Sequence, residues 1–213
     1  MSKNVTLLFG EETFLVEEKA AKWHQPDAFV EKMEGVIDLS QLMQLIQSDS
    51  LFSPQTHIIL KRPHFLTQAL TDAEFNTFKR LIDTALASPH RLLLIFPDKL
   101  DQRKKVIQFL KKTVDCVECV PFKDWEQDKV LQWIRQRGSA LGKSIAPEAA
   151  MAIEQIGGTQ LRILAAEIDK IAAYVGNQPS IEIADMEALA SGGGASIFQL
   201  SEAMKRRQGA HIA

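Results

Sequence analysis

A chain of 213 residues, 46% apolar and 24% charged, has the composition of a globular protein in water, and it buries roughly 70% of its unfolded surface without disulfide staples. Its formal net charge of −2 excludes a surface given over to nucleic acid, because neutralising phosphates requires a clear basic excess. No apolar run approaches the ~20 residues of a membrane span, no signal-peptide pattern opens the chain, and two cysteines make no disulfide framework; the expected location is the cytoplasm.

In chain order, residues 5–9 read as a first strand. Phe14, Leu15, Ala20, Ala21 and Trp23 predict the helix that follows. The glycine between them, Gly10, invites comparison with a phosphate-binding loop. If Gly10 opened G-x-x-x-x-G-K-[ST], the second glycine would fall on Leu15, the lysine on Val16 and the hydroxyl residue on Glu17. All three fail. Glu11 and Glu12 also stand at the helix N-terminus, where their charges take up the favourable helix field and repel a phosphate.

Residues 29–33 predict a second strand, and Leu39, Leu42, Met43, Leu45 and Ile46 an amphipathic helix. Residues 56–60 predict a short buried strand. Between that helix and strand lies Ser50-Leu51-Phe52-Ser53-Pro54, two bulky apolar side chains in a polar turn. Connectors usually run over the surface, so Leu51 and Phe52 admit two readings: a plug tucked into their own domain, or an anchor for a partner. Burying both contributes about 3–6 kcal/mol, equivalent to two to four decades of affinity.

Further on, Phe75, Phe78, Leu81, Ile82 and Ala85 predict a helix, residues 91–96 a strand, Val106, Ile107, Phe109 and Leu110 a helix, and residues 114–120 a strand. Strands spaced by helices imply right-handed crossovers and a mostly parallel sheet covered on both faces. No acidic pair follows the inner strands to hold magnesium: Lys61-Arg62 follows one and Pro97-Asp98-Lys99 the other. Cys116 and Cys119 have C-x-x-C spacing, but redox pairs of that kind open a helix, and the flanking Val114, Val117 and Val120 fit a strand. With no second pair there is no zinc site. The histidines show no ligand spacing, and no serine sits in a G-x-S-x-G elbow.

After Pro121 strands nearly vanish. Val130, Leu131, Trp133 and Ile134 share a helical face ending near residues 138–142, and Pro147 opens a helix in the first turn. Gly157-Gly158 is a break, and Thr159 is the expected N-cap of a helix over 161–174. Ser191-Gly192-Gly193-Gly194-Ala195 predicts a hinge, and Ser196 caps a last helix carrying Ile197, Leu200 and Met204. That helix reaches Ala213 without an apolar partner, so the expectation is a fragment truncated just inside a third domain. The basic clusters Lys61-Arg62, Arg103-Lys104-Lys105, Lys111-Lys112 and Lys205-Arg206-Arg207 read as solvated faces on a mixed-sign surface.

Taken together these stretches resemble the delta subunit of the bacterial DNA polymerase III clamp loader. The resemblance lies in Leu7-Leu8-Phe9-Gly10-Glu11-Glu12 with Phe14-Leu15, and in Ser50-Leu51-Phe52 leading to His57-Ile58-Ile59-Leu60. It continues in Leu92-Leu93-Leu94-Ile95-Phe96-Pro97-Asp98-Lys99-Leu100-Asp101, in Gly158 through Leu161-Arg162 to Ala166-Glu167-Ile168-Asp169-Lys170, and in Ser196-Ile197-Phe198-Gln199-Leu200. It implies an AAA+-like α/β domain over 1–122 with a mostly parallel five-stranded sheet and no functional phosphate loop. A small all-α lid follows over 123–190, then a linker at 191–195 and the first helix, 196–213, of a truncated collar.

The same resemblance implies a non-catalytic subunit of the DNA polymerase III holoenzyme, a nucleotidyltransferase assembly, without cofactor. Such a subunit binds the sliding clamp (the beta subunit) through Leu51 and Phe52, with Ser50 and, more loosely, Gln47 beside them, and opens the ring for loading onto primed DNA. Other loader subunits would join through the missing collar, which leaves this fragment monomeric, and DNA would be met only within the complex. Arg162 stands near a lid position where related ATPases place a nucleotide-sensing arginine, and reads as structural here. Two alternatives compete with this reading: a divergent AAA+ ATPase, and a DNA-binding module acting through Lys104, Lys105, Lys111 and Lys112.

Overall fold

A computed structural model of the chain describes residues 4–24, 28–48 and 55–191. The chain divides into two compact units, residues 1–120 and 121–213. The first is built on five parallel strands, β1 (Val5–Phe9), β2 (Phe29–Glu34), β3 (Thr56–Lys61), β4 (Arg91–Phe96) and β5 (Asp115–Glu118), in the order β2-β3-β4-β1-β5. Helices α1 (Thr13–Trp23), α2 (Leu39–Gln47), α3 (Asp72–Ala87) and α4 (Lys105–Thr113) provide the crossovers, with a short 3-10 turn at His64–Leu66. This is the α/β architecture expected from the alternation of strands and helices.

The inner strands read as nearly unbroken apolar runs because a parallel sheet is buried on both faces. Leu7, Phe9, Ile58, Leu60, Leu92, Leu94 and Phe96 point to one face, where Leu42 and Ile46 of α2, Phe78, Leu81 and Ile82 of α3, and Val106, Ile107 and Leu110 of α4 pack on them. Leu8, Ile59, Leu93 and Ile95 point to the other, against Val16 of α1. Each such side chain contributes roughly 1.5–3 kcal/mol by leaving water. Helix α3 starts at a complete capping box: Thr71 accepts from the Glu74 amide, and the Glu74 carboxylate accepts from the Thr71 amide.

The bounds of β5 differ from the sequence reading. Strand β5 covers only residues 115–118 rather than 114–120, because its partner β1 stops at Phe9 and turns at Gly10. Beyond that point Cys119 is tied to the turn itself, its amide donating to Phe9 O at 2.7 Å and its carbonyl accepting from Glu12 at 3.1 Å. The pair Cys116 and Cys119 splits between the two faces of the sheet, Cys116 of β5 packing on one and Cys119, just past its end, on the other.

The second unit consists of α5 (Gln127–Ala140), β6 (Ser144–Ile145), α6 (Pro147–Gly157), α7 (Leu161–Val175), β7 (Ser180–Ile181) and α8 (Ile183–Ser191). Its core contains Val130, Ile134, Ile153, Leu164, Ile168, Ile171 and Ile181. Gly138 allows α5 to approach Ile145, since a Cβ there would lie 2.6 Å from that side chain. Pro147 opens α6 as predicted. The N-cap of α7 is Gln160, not Thr159, and no side chain caps it; Gly158 at φ 56 has already turned the backbone, so the helix begins one residue later than the Thr159 hydroxyl would require. The predicted hinge begins on Ser191, which is the last residue of α8; residues 192–213, with the expected final helix, lie outside the described residues.

Candidate functional site

In open α/β sheets ligands bind beyond the carboxyl ends of the strands, where neighbouring connections diverge. That place here lies between the β1–α1 passage and the connection after β4. Gly10, at φ 131, donates its amide to both Phe96 O and Asp98 O at 3.1 Å, and Glu12 donates to Cys119 O. A phosphate cradle needs such amides aimed at the ligand; these two are directed at the protein's own carbonyls. Glu12 is the N-cap of α1, its carboxylate accepting from the Phe14 amide at 3.1 Å. Glu11 pairs with Lys99 from the far side of the crevice at 2.8 Å. The hydrogen bond and the carboxylate's charge hold the Lys99 ammonium above its ordinary pKa. Gly10 itself cannot be replaced at this approach, because a Cβ would stand 2.0 Å from Cys119 O.

The opposite edge of the sheet carries the connection singled out in the sequence. Gln47 is the last residue of α2 and is exposed. Ser50, Leu51 and Phe52 lie outside the described residues. The described ends of the connection are tied to the turn between α3 and β4. Thr56 N–H donates to His90 Nδ1 at 3.0 Å, and His90 Nε2 meets Ser48 O at 3.0 Å. Gln55 Nε2 donates to Pro89 O at 2.8 Å and Ser88 Oγ to Ile46 O at 3.4 Å. Sequence reading missed Ser88 and His90. The one available signal was a Ser-Pro-His turn leading into a strand that is apolar after Arg91, a polar side chain where none is needed for the strand itself.

Several of the remaining sequence candidates have local partners or surroundings. Burial pushes the Cys119 thiol pKa up, which keeps it protonated and unreactive. Arg103 forms an ion pair with Asp101 and Lys105 with Asp72, Lys104 donates to Thr67 O, and Lys111 stands over the Phe9 ring. Arg162 is exposed on α7. Among the described residues no group of histidine, cysteine and acidic side chains could hold a metal ion, and no helix is long and apolar enough to cross a membrane. An open groove of about 630 Å³ runs beside α1 on the less covered face of the sheet, floored by Val30, Ile59 and Ile95 and rimmed by Glu17, Lys32 and Lys61.

The strand order β2-β3-β4-β1-β5 defines an AAA+-like α/β fold for the first unit, and the second unit is a small helical one. The family described as DNA polymerase III, delta subunit, matches residues 7–120. This chain belongs to that family. A Helicobacter pylori (strain J99) protein is 29% identical over 167 residues, which is 73% of this chain and 47% of that protein. Among solved structures, the Bacillus subtilis DNA clamp loader delta protein (YqeN) is similar over 88% of this chain and 58% of its own, with a TM-score of 0.71 and 22% identity. The chain thus spans about half the length of these relatives.

Proposed function

We propose that this chain is the ring-binding subunit of a replicative clamp loader, that it engages the sliding clamp through Leu51 and Phe52, and that it hydrolyses no nucleotide. The observation that carries the reading is the delta-subunit match across residues 7–120, which contains the Leu-Phe pair. The β1–α1 passage supports its non-catalytic part: the Gly10 and Glu12 amides are directed inward, and Glu11 is paired with Lys99. Residues 123–190 serve as the lid in this reading, and Gln47 and Ser50 flank the anchor.

A closed and an opened ring are two states of the clamp, and a ligand shifts them only by its difference in affinity for the two. Two buried apolar side chains supply about 3–6 kcal/mol. Directed to the open-compatible shape alone, part of that energy biases one ring interface without any chemistry in this chain. Nucleotide bound by partner subunits then governs when the anchor is presented.

The test is the double substitution Leu51→Ala with Phe52→Ala. Clamp affinity is expected to fall at least about a hundredfold, while the circular dichroism spectrum and melting temperature stay near those of the unsubstituted protein. Unfolding of the double variant would instead make the pair a plug in the protein's own core.

A further inference from the structure

We propose that the Ser88-Pro89-His90 turn is a clasp that fixes both stems of the α2–β3 connection, with His90 as its central positioning residue. The use of the clasp rests on the clamp-binding reading above; its existence rests on the stems alone. His90 is 5% exposed and Thr56 4% exposed, so their polar atoms need partners inside the protein. The Thr56 amide can only donate, which leaves His90 Nδ1 without a proton and puts the ring's proton on Nε2, where it is donated to Ser48 O. One neutral imidazole therefore spans the connection. It holds the Ser48 carbonyl and the Thr56 amide within about 8 Å of each other, two hydrogen-bond lengths and a ring.

The clasp is firm because its own backing is firm. Ser88 N–H caps α3 by donating to Thr84 O at 3.0 Å. Asn4, at the start of β1, donates its side-chain amide to Ser88 O at 2.7 Å and accepts from the Leu92 amide at 2.8 Å. Ser88 Oγ accepts from the His90 amide at 3.1 Å. Strand β4 pairs with β3 only from His57 opposite Arg91 onward, so the imidazole takes over the amide one residue before the ladder begins. A helix-to-strand turn needs partners only for its own backbone. In this one the Ser88 and His90 side chains meet Ile46, Ser48 and Thr56, and Gln55 donates to Pro89 O, so the turn is tied to residues on either side of the connection by four hydrogen bonds. Fixing those stems in advance lowers the ordering cost of presenting Leu51 and Phe52 to a partner.

The experiment compares His90→Ala, His90→Asn, Thr71→Ala and the Leu51→Ala/Phe52→Ala double variant, using the purified sliding clamp as probe and amide hydrogen exchange as a second readout. His90→Ala is expected to weaken clamp binding about tenfold and to speed exchange at Thr56 relative to Leu60 of the same strand. His90→Asn, whose side-chain oxygen can stand near the place of Nδ1, is expected to recover part of both. Thr71→Ala lowers global stability through the α3 cap and is expected to change neither the affinity nor that exchange ratio. An unchanged Thr56 ratio in His90→Ala overturns the clasp. A changed ratio with unaltered clamp affinity overturns the positioning role, and so does Thr71→Ala matching His90→Ala in affinity. If the Leu51→Ala/Phe52→Ala variant binds the clamp normally, the proposed function fails instead, and the Thr56 ratio still decides the clasp.

Discussion

At the carboxyl edge of the sheet, Gly10 and Glu12 donate their amides to Phe96, Asp98 and Cys119, whereas at the amino edge Ser88 and His90 reach across to Ile46, Ser48 and Thr56. The carboxyl edge is where sheets of this kind usually bind ligands, and here its polar groups are consumed internally. The amino edge, usually a place of plain turns, carries the cooperating side chains. The contrast shows that the sheet stands without polar groups aimed outward at its carboxyl edge, because the apolar side chains on its two faces carry the core. The contrast can be broken or sharpened by substitution at either edge.

The largest effect belongs to Gly10→Ala. Its φ of 131 is outside the range of an L side chain, and the new Cβ would stand 2.0 Å from a backbone carbonyl. A loss of about 3 kcal/mol or more is expected, read as a drop in the urea midpoint or as failure to accumulate folded protein. A near-native midpoint would mean the passage is loose, and the carboxyl edge would no longer count as closed. Next comes Ser88→Ala at the amino edge, which removes the acceptor for the His90 amide and the donor to Ile46 O. About 1–2 kcal/mol is expected, the net worth of two hydrogen bonds, with faster exchange at the His90 amide.

How far these edges could be read from the chain differs in the same way. The runs at residues 5–9, 56–60 and 91–96 announced buried parallel strands because both faces are covered and apolar side chains fill most positions, with Thr6, Thr56, His57 and Arg91 the exceptions. The failed phosphate loop was legible too, since Glu11 and Glu12 lie within a few residues of Gly10 and the motif is local. The clasp was not. His90 lies 34 residues from Thr56 and 42 from Ser48, and only the β3–β4 register brings them together. In the second unit, β6 and β7 have two residues each, too short for any periodicity to show. The α8 stretch Ile183–Ser191 passed unnoticed because small residues dilute its apolar stripe. Thr159 misled because a good capping residue is a local signal, and Gly158 overrode it.

A smaller effect concerns His57, one residue beyond the clasp, which is buried beside the Trp23 ring at 5.2 Å. Burial, then the charge of Arg91, then that of His24 lower its pKa. The unfolded chain therefore binds this proton more readily than the folded one, between the lowered value and the ordinary ~6.5. Stability from this group is fully present above that ordinary value and is lost as pH falls through the window. The urea midpoint is expected to decline as pH falls below about 6.5, and His57→Gln to flatten part of that decline. A midpoint indifferent to His57 would remove titration from the account of the amino edge.

The smallest effect on stability is expected from Lys99→Ala. The Glu11–Lys99 pair is close but its side chains are well exposed, and exposed pairs add little to stability because water screens them. The melting temperature should not move measurably. The substitution nevertheless bears on the carboxyl edge, because it removes the cation that neutralises Glu11 while leaving both glutamates at the α1 N-terminus. If the crevice is closed to phosphate by the inward Gly10 and Glu12 amides and by these carboxylates, labelled ATP with magnesium should bind weaker than about 1 mM both before and after the substitution. Binding tighter than that in the unsubstituted chain would place a nucleotide where the amides are already committed. Binding that appears only when Glu11 and Glu12 are both replaced by glutamine would show that charge alone, not the backbone, keeps the carboxyl edge empty.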